Sequence, residues 1–281
     1  LAWQAPCVAP IRLPLSHTVG RRNEEIMELR SKELYADLCE NPGKPLVVII
    51  GGSRKGIWSI SPELLDYLRE RYSVLIFAYF GVDKLPPFLE EIPLEYFING
   101  INLVKKSLNL HDQDISIIGN SKGAEAALLL ISRHIAPRAV VACVPSCYIW
   151  QGIPHGLFSA LFPRSSWTYQ EKQLPFVRLR INGPILQDIR NKHYASCYEA
   201  SISRNMNAEA RIDLSQYKGK LLLLSAKVDN YWPSKEMSDS IVRDFKIDVV
   251  HKVLDLNGHY FQEYDESINE TISFLEETSQ P

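Results

Sequence analysis

Apolar runs of strand length recur along the chain, and helical patterning fills the gaps between them. The runs are Leu46-Val47-Val48-Ile49-Ile50, then 74–79 (VLIFAY), 115–118 (ISII), 139–144 (AVVACV) and Leu221-Leu222-Leu223-Leu224, with a more mixed run at 249–256. A continuous apolar run of this length, bounded by turn residues, marks a strand buried on both faces. Between the runs, Ser61-Pro62-Glu63 reads as an N-cap, a proline at the first helical position and an acid in the first turn, ahead of Leu64, Leu65 and Leu68. Leu94, Phe97, Ile98, Ile101 and Val104 share one face at the 3.6-residue period. Helices are also predicted over 122–134, 234–245 and 264–277. Strands alternating with helices give right-handed βαβ units and a mostly parallel sheet covered on both faces.

Two regions lie outside this rhythm. Residues 1–22 read as an irregular lead-in, and 24–40 as either a helix or two strands. The Asn41-Pro42-Gly43 turn favours a short hairpin there. Residues 145–217 are rich in Pro, Ser, Tyr and Trp with no clear strand. They are too long for a plain connection and are expected to form a lid-like excursion over the C-terminal edge of the sheet, where such folds keep their sites. The division expected is 1–45 as lead-in and hairpin, and 46–281 as the main domain with 145–217 as its excursion.

Composition narrows the function classes. The 281 residues are 46% hydrophobic and 23% charged, with a formal net charge of −2. That is enough for one large core, with neither the basic footprint of a nucleic-acid binder nor an acidic tail. No apolar run reaches membrane-spanning length. The cysteines, at 7, 39, 143, 147 and 197, are odd in number. The Cys143/Cys147 pair has no matching His/Cys pair for a zinc site, so the reading is reduced thiols in a cytoplasmic protein that needs no metal or redox cofactor.

Within this frame Ile117-Ile118-Gly119-Asn120-Ser121-Lys122-Gly123-Ala124 stands out. Its Gly-x-Ser-x-Gly leaves a buried strand and enters a helix, the setting in which a serine is held on a sharp turn as a nucleophile. The ordinary alternative, a serine in a glycine-flanked loop, lacks that strand–turn–helix frame. The helix start offers free N–H groups and a positive dipole end, so the Lys122 N–H is placed to hold an oxyanion. The loop after the first central strand, Gly51 to Gly56, is expected to add a second donor from Gly52 or Ser53. It is not a phosphate loop, since G-x-x-x-x-G-K-[ST] is absent.

A serine nucleophile needs a base, and the base an orienting acid. In chain order the best candidates are Asp229, in the loop after a buried strand, and His259, in the Asn257-Gly258 loop after the last strand. Asp255 falls within or at the end of the preceding strand and is a poorer partner. His111, His134 and His251 sit at a wrong edge, a helix end and a strand, and His17, His155 and His193 lie outside the regular pattern.

Several stretches together resemble one family. FAYFGVDKLP, PLEYFINGINLV, IIGNSKGAEAAL, SAKVDNYWPS and NGHYF are similar to the C-terminal catalytic domain shared by type I acyl-CoA thioesterases and bile acid-CoA:amino acid N-acyltransferase, over roughly residues 45–265. The resemblance implies an α/β-hydrolase fold, a triad of Ser121, Asp229 and His259, and acyl thioesters as substrates. It also implies that serine at the nucleophile position, where the amino-acid transferase has cysteine, tilts the chain towards hydrolysis over acyl transfer to an amine or alcohol. Members usually carry an N-terminal β-sandwich. Only about 45 residues precede the first central strand here, too few for one, which leaves an excised fragment or a single-domain relative, and the latter opens the way to a carrier-bound thioester or another ester as substrate.

Between 164 and 192, Arg164, Lys172, Arg178, Arg180, Arg190 and Lys192 outnumber Glu171 and Asp188. That surface suits either the phosphates of CoA or an acidic acyl carrier protein, or is simply a solvated face. Arg178, Arg180, Trp150 and Trp232 are the candidate substrate-binding residues. Trp150, with Phe158, Phe162, Trp167 and Phe176, fits an acyl pocket and the excursion's own small core equally well. A catalytically silent binding module on the same fold is the reading from another class.

Overall fold

A computed structural model describes residues 26–204, 207–260 and 264–279; the lead-in expected over 1–22 lies outside them. In chain order the elements are β1 (Ile26–Arg30), β2 (Tyr35–Cys39), β3 (Leu46–Ile50), α1 (Pro62–Arg71), β4 (Ser73–Phe77), β5 (Ile92–Pro93), α2 (Leu94–Ser107), β6 (Ile115–Asn120), α3 (Lys122–Arg133) and β7 (Ala139–Cys143). The excursion follows, with α4 (Leu157–Leu161), β8 (Trp167–Tyr169), β9 (Lys172–Gln173), α5 (Gly183–Arg190) and α6 (Ala195–Arg204). The chain then returns through β10 (Lys220–Val228), α7 (Ser234–Asp244), β11 (Val249–Asn257) and α8 (Asp265–Ser279).

Among the described residues eight strands form one sheet in the order β1-β2-β4-β3-β6-β7-β10-β11. From β4 to β11 the pairings are parallel, and β1 and β2 add an antiparallel edge. The hairpin favoured for 24–40 is present and is built into the main sheet through β2 and β4. Every residue of β3, β4, β6 and β7 is buried, which is why these stretches read as unbroken apolar runs. Alternate residues divide between two cores. Val48, Ile50 and Ile117 meet α2, α3 and α7, whereas Val47, Ile49 and Ile118 meet α1 and α8. The Ser61 hydroxyl caps α1 by accepting from the Leu64 N–H at 3.2 Å. Among the described residues no helix is long and apolar enough to cross a membrane.

The excursion holds more regular structure than its sequence suggests. Strand β8 pairs with β5 on one side and β9 on the other in a second, three-stranded sheet, and the described residues of the excursion add three helices. Elements of two or three residues are too short to show a period, so composition alone marked them as loop. The sheet reverses direction of growth at β3 and β6: β4 lies on one side of β3 and β7 on the far side of β6. The crevice at the carboxyl ends of such a strand pair is where open α/β sheets bind ligands. Ser121 follows β6 there, and Gly51-Gly52 follow β3.

Candidate active site

The turn at Ser121 is forced by packing on both sides. Ser121 has φ 53° and ψ −115°, outside the regions open to most side chains, at a strain of about 1–3 kcal/mol. Its N–H donates to the Cys143 carbonyl of β7 at 2.9 Å, and its own carbonyl accepts from the Glu125 N–H at 3.0 Å, so strand and helix hold it from either end. A Cβ on Gly123 would lie 2.0 Å from the Ile50 carbonyl oxygen, and one on Gly119 would lie 2.6 Å from the Gly123 carbonyl oxygen. Only glycine lets α3 start this close to β3 and β6.

Asp229 and His259, the acid and base expected from the sequence, lie at the ends of β10 and β11. The two strands run in parallel register until a bulge between Ala226 and Val228, and the Gly258 N–H then donates to the Val228 carbonyl at 2.7 Å. This ties the two loops together. His259 Nδ1 sits 3.0 and 2.9 Å from the two oxygens of Asp229, and its Nε2 lies 2.8 Å from Ser121 Oγ. Asp229 also accepts from the Tyr231 N–H at 2.9 Å and the Ser234 hydroxyl at 2.7 Å. A carboxylate held this way fixes the imidazole with Nδ1 donating and Nε2 free to accept from the serine hydroxyl. Tyr231 stacks on the His259 ring at 4.9 Å, and Trp232 meets it edge-on at 5.7 Å. His259 is 3% exposed. Asp255 instead pairs with Lys227 on the surface, and His251 bonds Asp239 and Ser225.

Ser121 opens into a cavity of about 380 Å³ lined by Gly52, Ser53, Arg54, Trp58, Asn120 and Tyr260. Lys122 is the first residue of α3, so its N–H has no carbonyl partner within the helix. From the core the buried Tyr79 hydroxyl donates to the carbonyls of Gly51 at 3.0 Å and Gly52 at 2.6 Å. In a trans peptide N–H and C=O point opposite ways. Drawing those two carbonyls towards Tyr79 turns the N–H groups of Gly52 and Ser53 away from it. The Tyr79 role was not read from the sequence, where the residue closes an apolar run.

The Lys122 side chain points away from the cavity. Its Nζ is 2.7 Å from Glu125 Oε2, with the two side chains 5% and 0% exposed. Glu125 Oε1 accepts from the Trp150 N–H at 3.0 Å and from the Trp167 indole N–H at 2.8 Å. Burial pushes the Lys122 ammonium down and the Glu125 carboxyl up from their ordinary values, and each ion partly restores its partner.

The four candidate substrate-binding residues do not gather around Ser121. Trp150 is 1% exposed and belongs to the core, its indole N–H donating to Ser146 Oγ at 2.7 Å. Trp232 is also buried, donates to the Val144 carbonyl at 3.1 Å, and packs edge-on against His259 instead of lining the cavity. Arg178 stands exposed over Phe176 beside an open groove that shares no residue with the Ser121 cavity. The Arg180 N–H bonds the Ser201 hydroxyl of α6.

The parallel sheet with helices on both faces, and the strand–turn–helix geometry at Ser121, are those of an α/β-hydrolase fold. A monoacylglycerol lipase from Paleococcus ferrophilus shares it, with a TM-score of 0.53 at 16% identity, covering 87% of this chain and 98% of that one. Residues 92–262 match the family described as BAAT / Acyl-CoA thioester hydrolase C terminal, and the chain belongs to that family. Two Mus musculus relatives are each 32% identical: acyl-coenzyme A amino acid N-acyltransferase 1 over 114 residues, and acyl-coenzyme A thioesterase 6 over 103. The matched segments are 40% and 36% of this chain and only 26% and 24% of the relatives' own length.

Proposed function

We propose that this chain is a serine hydrolase of acyl thioesters. The observation that carries the reading is the unbroken chain Ser121–His259–Asp229, at 2.8 Å and then 2.9–3.0 Å, on a strained turn at the mouth of a cavity. His259 Nε2 takes the Ser121 proton as Oγ attacks the thioester carbonyl. The N–H groups of Lys122 and of Gly52 or Ser53 hold the oxyanion, a contribution of about 10²–10³ in rate for a single donor. The tetrahedral adduct collapses, and the sulfur leaves with the proton from His259. Water then gives its proton to His259 and attacks the acyl-serine, and the acid departs as Ser121 is reprotonated. Membership of the family, and the name of the mouse thioesterase relative, support a thioester of coenzyme A over an oxygen ester.

Transfer to an amine is the second reading, favoured by the equal identity to the mouse N-acyltransferase. The acyl-serine is common to both, and the fate of the acyl group depends on whether water or an amine reaches it. Serine at position 121 supports water. Ser121→Ala is expected to abolish both turnover of an acyl-CoA panel and fluorophosphonate labelling while the far-UV spectrum is retained. Undiminished turnover in Ser121→Ala removes the assignment, and mass analysis of products with added glycine or taurine separates the two acceptors.

A further inference from the structure

Asn120, the residue before Ser121, is 5% exposed, and neither its amide nitrogen nor its amide oxygen has a hydrogen-bond partner among the described residues. Buried side-chain amides are nearly always paired, because leaving one unpaired costs about 1–3 kcal/mol. Its surroundings explain where a partner would come from. Asn120 lines the cavity at Ser121 and also a second, narrow pocket of about 30 Å³ behind Trp58, whose walls include Ile49, Ile118 and Leu64. Its Oδ1 and the Ser121 Cβ both lie within about 3.3 Å of the point that a Cβ on Gly52 would occupy. Among the described residues, this unpaired amide therefore stands beside Ser121 and against the Gly51-Gly52 loop, at the inner wall of the Ser121 cavity.

Resting on the reading of Ser121 as nucleophile, we infer that Asn120 is a specificity residue for an acyl group carrying a hydroxyl close to the reacting carbonyl, that is, a 2- or 3-hydroxyacyl thioester. A hydroxyl is the smallest group that donates and accepts at once, which is what an unpaired amide needs. The pocket beyond Asn120 has mostly apolar walls, with Ser59, Ser61 and Thr271 among them, and room for a group of about water or methyl size. It takes the end of a substituent, and the body of the acyl chain stays in the larger cavity. A site with an unpaired polar group discriminates strongly against an analogue that cannot pair it.

The test compares butyryl-CoA with its 2-hydroxy and 3-hydroxy forms, in the wild-type protein and in Asn120→Leu, with active sites counted by fluorophosphonate labelling of Ser121. Wild type is expected to prefer one hydroxyacyl form by about tenfold or more in kcat/KM, and Asn120→Leu to lose that preference. The arm preferred tells whether the hydroxyl sits on the α or the β carbon. Because an apolar residue of similar shape removes an unpaired amide, Asn120→Leu should melt no lower than wild type. No preference in wild type, which needs no variant to measure, overturns the inference. So does a preference that survives in Asn120→Leu, or a destabilised Asn120→Leu with selectivity intact, which would make the amide a structural water site. Labelling of Ser121 with turnover but no preference removes the role of Asn120 alone. Absence of both labelling and turnover removes the nucleophile reading and this inference with it.

Discussion

Replacing Glu125 by alanine tests the least obvious part of the site. The carboxylate is fully buried and accepts three hydrogen bonds, from Lys122 Nζ at 2.7 Å, the Trp150 N–H at 3.0 Å and the Trp167 indole at 2.8 Å. Removing one partner of a buried ion pair costs about 3–5 kcal/mol, because the other charge is left in a low dielectric. Each of the two neutral donors adds about 1–3 kcal/mol if left unpaired. These terms overlap. Lys122 also has a way out, since burial already lowers its pKa and it can shed the proton. A net loss of about 4–6 kcal/mol is expected, which for a chain of this size is a fall in melting temperature of about 7–10 °C. Lys122→Met is expected to cost less, because Glu125, whose pKa is raised, can take up a proton and keep both tryptophan donors. The double variant should then be more stable than the sum of the two singles by about 2 kcal/mol. Thermal and urea unfolding of all four proteins measure this. A Glu125→Ala protein melting within about 3 °C of wild type, or a cycle additive to within about 0.5 kcal/mol, refutes the buried pair.

Tyr79→Phe removes the hydroxyl that turns the Gly51 and Gly52 carbonyls. It is expected to lower kcat about ten- to hundredfold with KM little changed, and an equal rise in KM would argue against a role at the oxyanion. Burial pushes the thiols of Cys143 and Cys147 up to about 12 and about 11, so iodoacetamide at about pH 8 should modify the half-buried Cys39 well before either. Peptide mapping that finds Cys143 labelled in the native protein contradicts this. Burial lowers the pKa of His251, with Asp239 only partly offsetting it, so the unfolded chain binds the extra proton. Its contribution to stability is complete above about pH 6.5 and is lost as pH falls below that value; burial gives His134 the same sign. His251→Gln should flatten the pH dependence of urea stability below about pH 6.5, and an unchanged slope would show that His251 does not titrate there.

The central sheet is legible because β3, β4, β6 and β7 are buried on both faces, and that requirement writes itself as unbroken apolar runs. The Gly-x-Ser-x-Gly motif, the loop positions after buried strands and the chain order together singled out Ser121, Asp229 and His259, and the fold places their side chains within hydrogen-bond distance. What the sequence hid were polar residues in apolar company. Lys122 and Glu125 look like the solvated first turn of an ordinary helix. Yet every residue from Lys122 to Ile131 is buried. A helix apolar all round must be enclosed, so any charge on it needs an internal partner, and Lys and Glu three apart supply one. Asn120, between Gly119 and Ser121 at the end of a wholly buried strand, carried the same signal. Arg178 and Arg180 show the opposite error: a run of basic residues along the chain says nothing about which face they share, and here they stand apart from the Ser121 cavity.

The excursion over 145–217 divides by what it touches. Its inner part is wedged between α3 and the loop that carries Asp229. Trp150 and Trp167 end on Glu125 of α3, Tyr198 of α6 packs edge-on against both Trp150 at 4.6 Å and Trp232 at 5.6 Å, and the N–H groups of Tyr194 and Ala195 donate to the Asn230 carbonyl. Through Trp232 this aromatic chain reaches His259. Its outer rim is different: Leu157, Phe158, Leu161 and Phe162 of α4 and its end are each more than 60% exposed. Under the proposed function, in which the Ser121–His259–Asp229 hydrogen bonds must be held in place to work, the inner wedge supports the site as much as the strands beneath it. The buried charge on Glu125 follows from that arrangement. One carboxylate accepts from a lysine and from two separate points of the excursion, and so fixes their spacing in a way that an apolar contact, free to slide, does not.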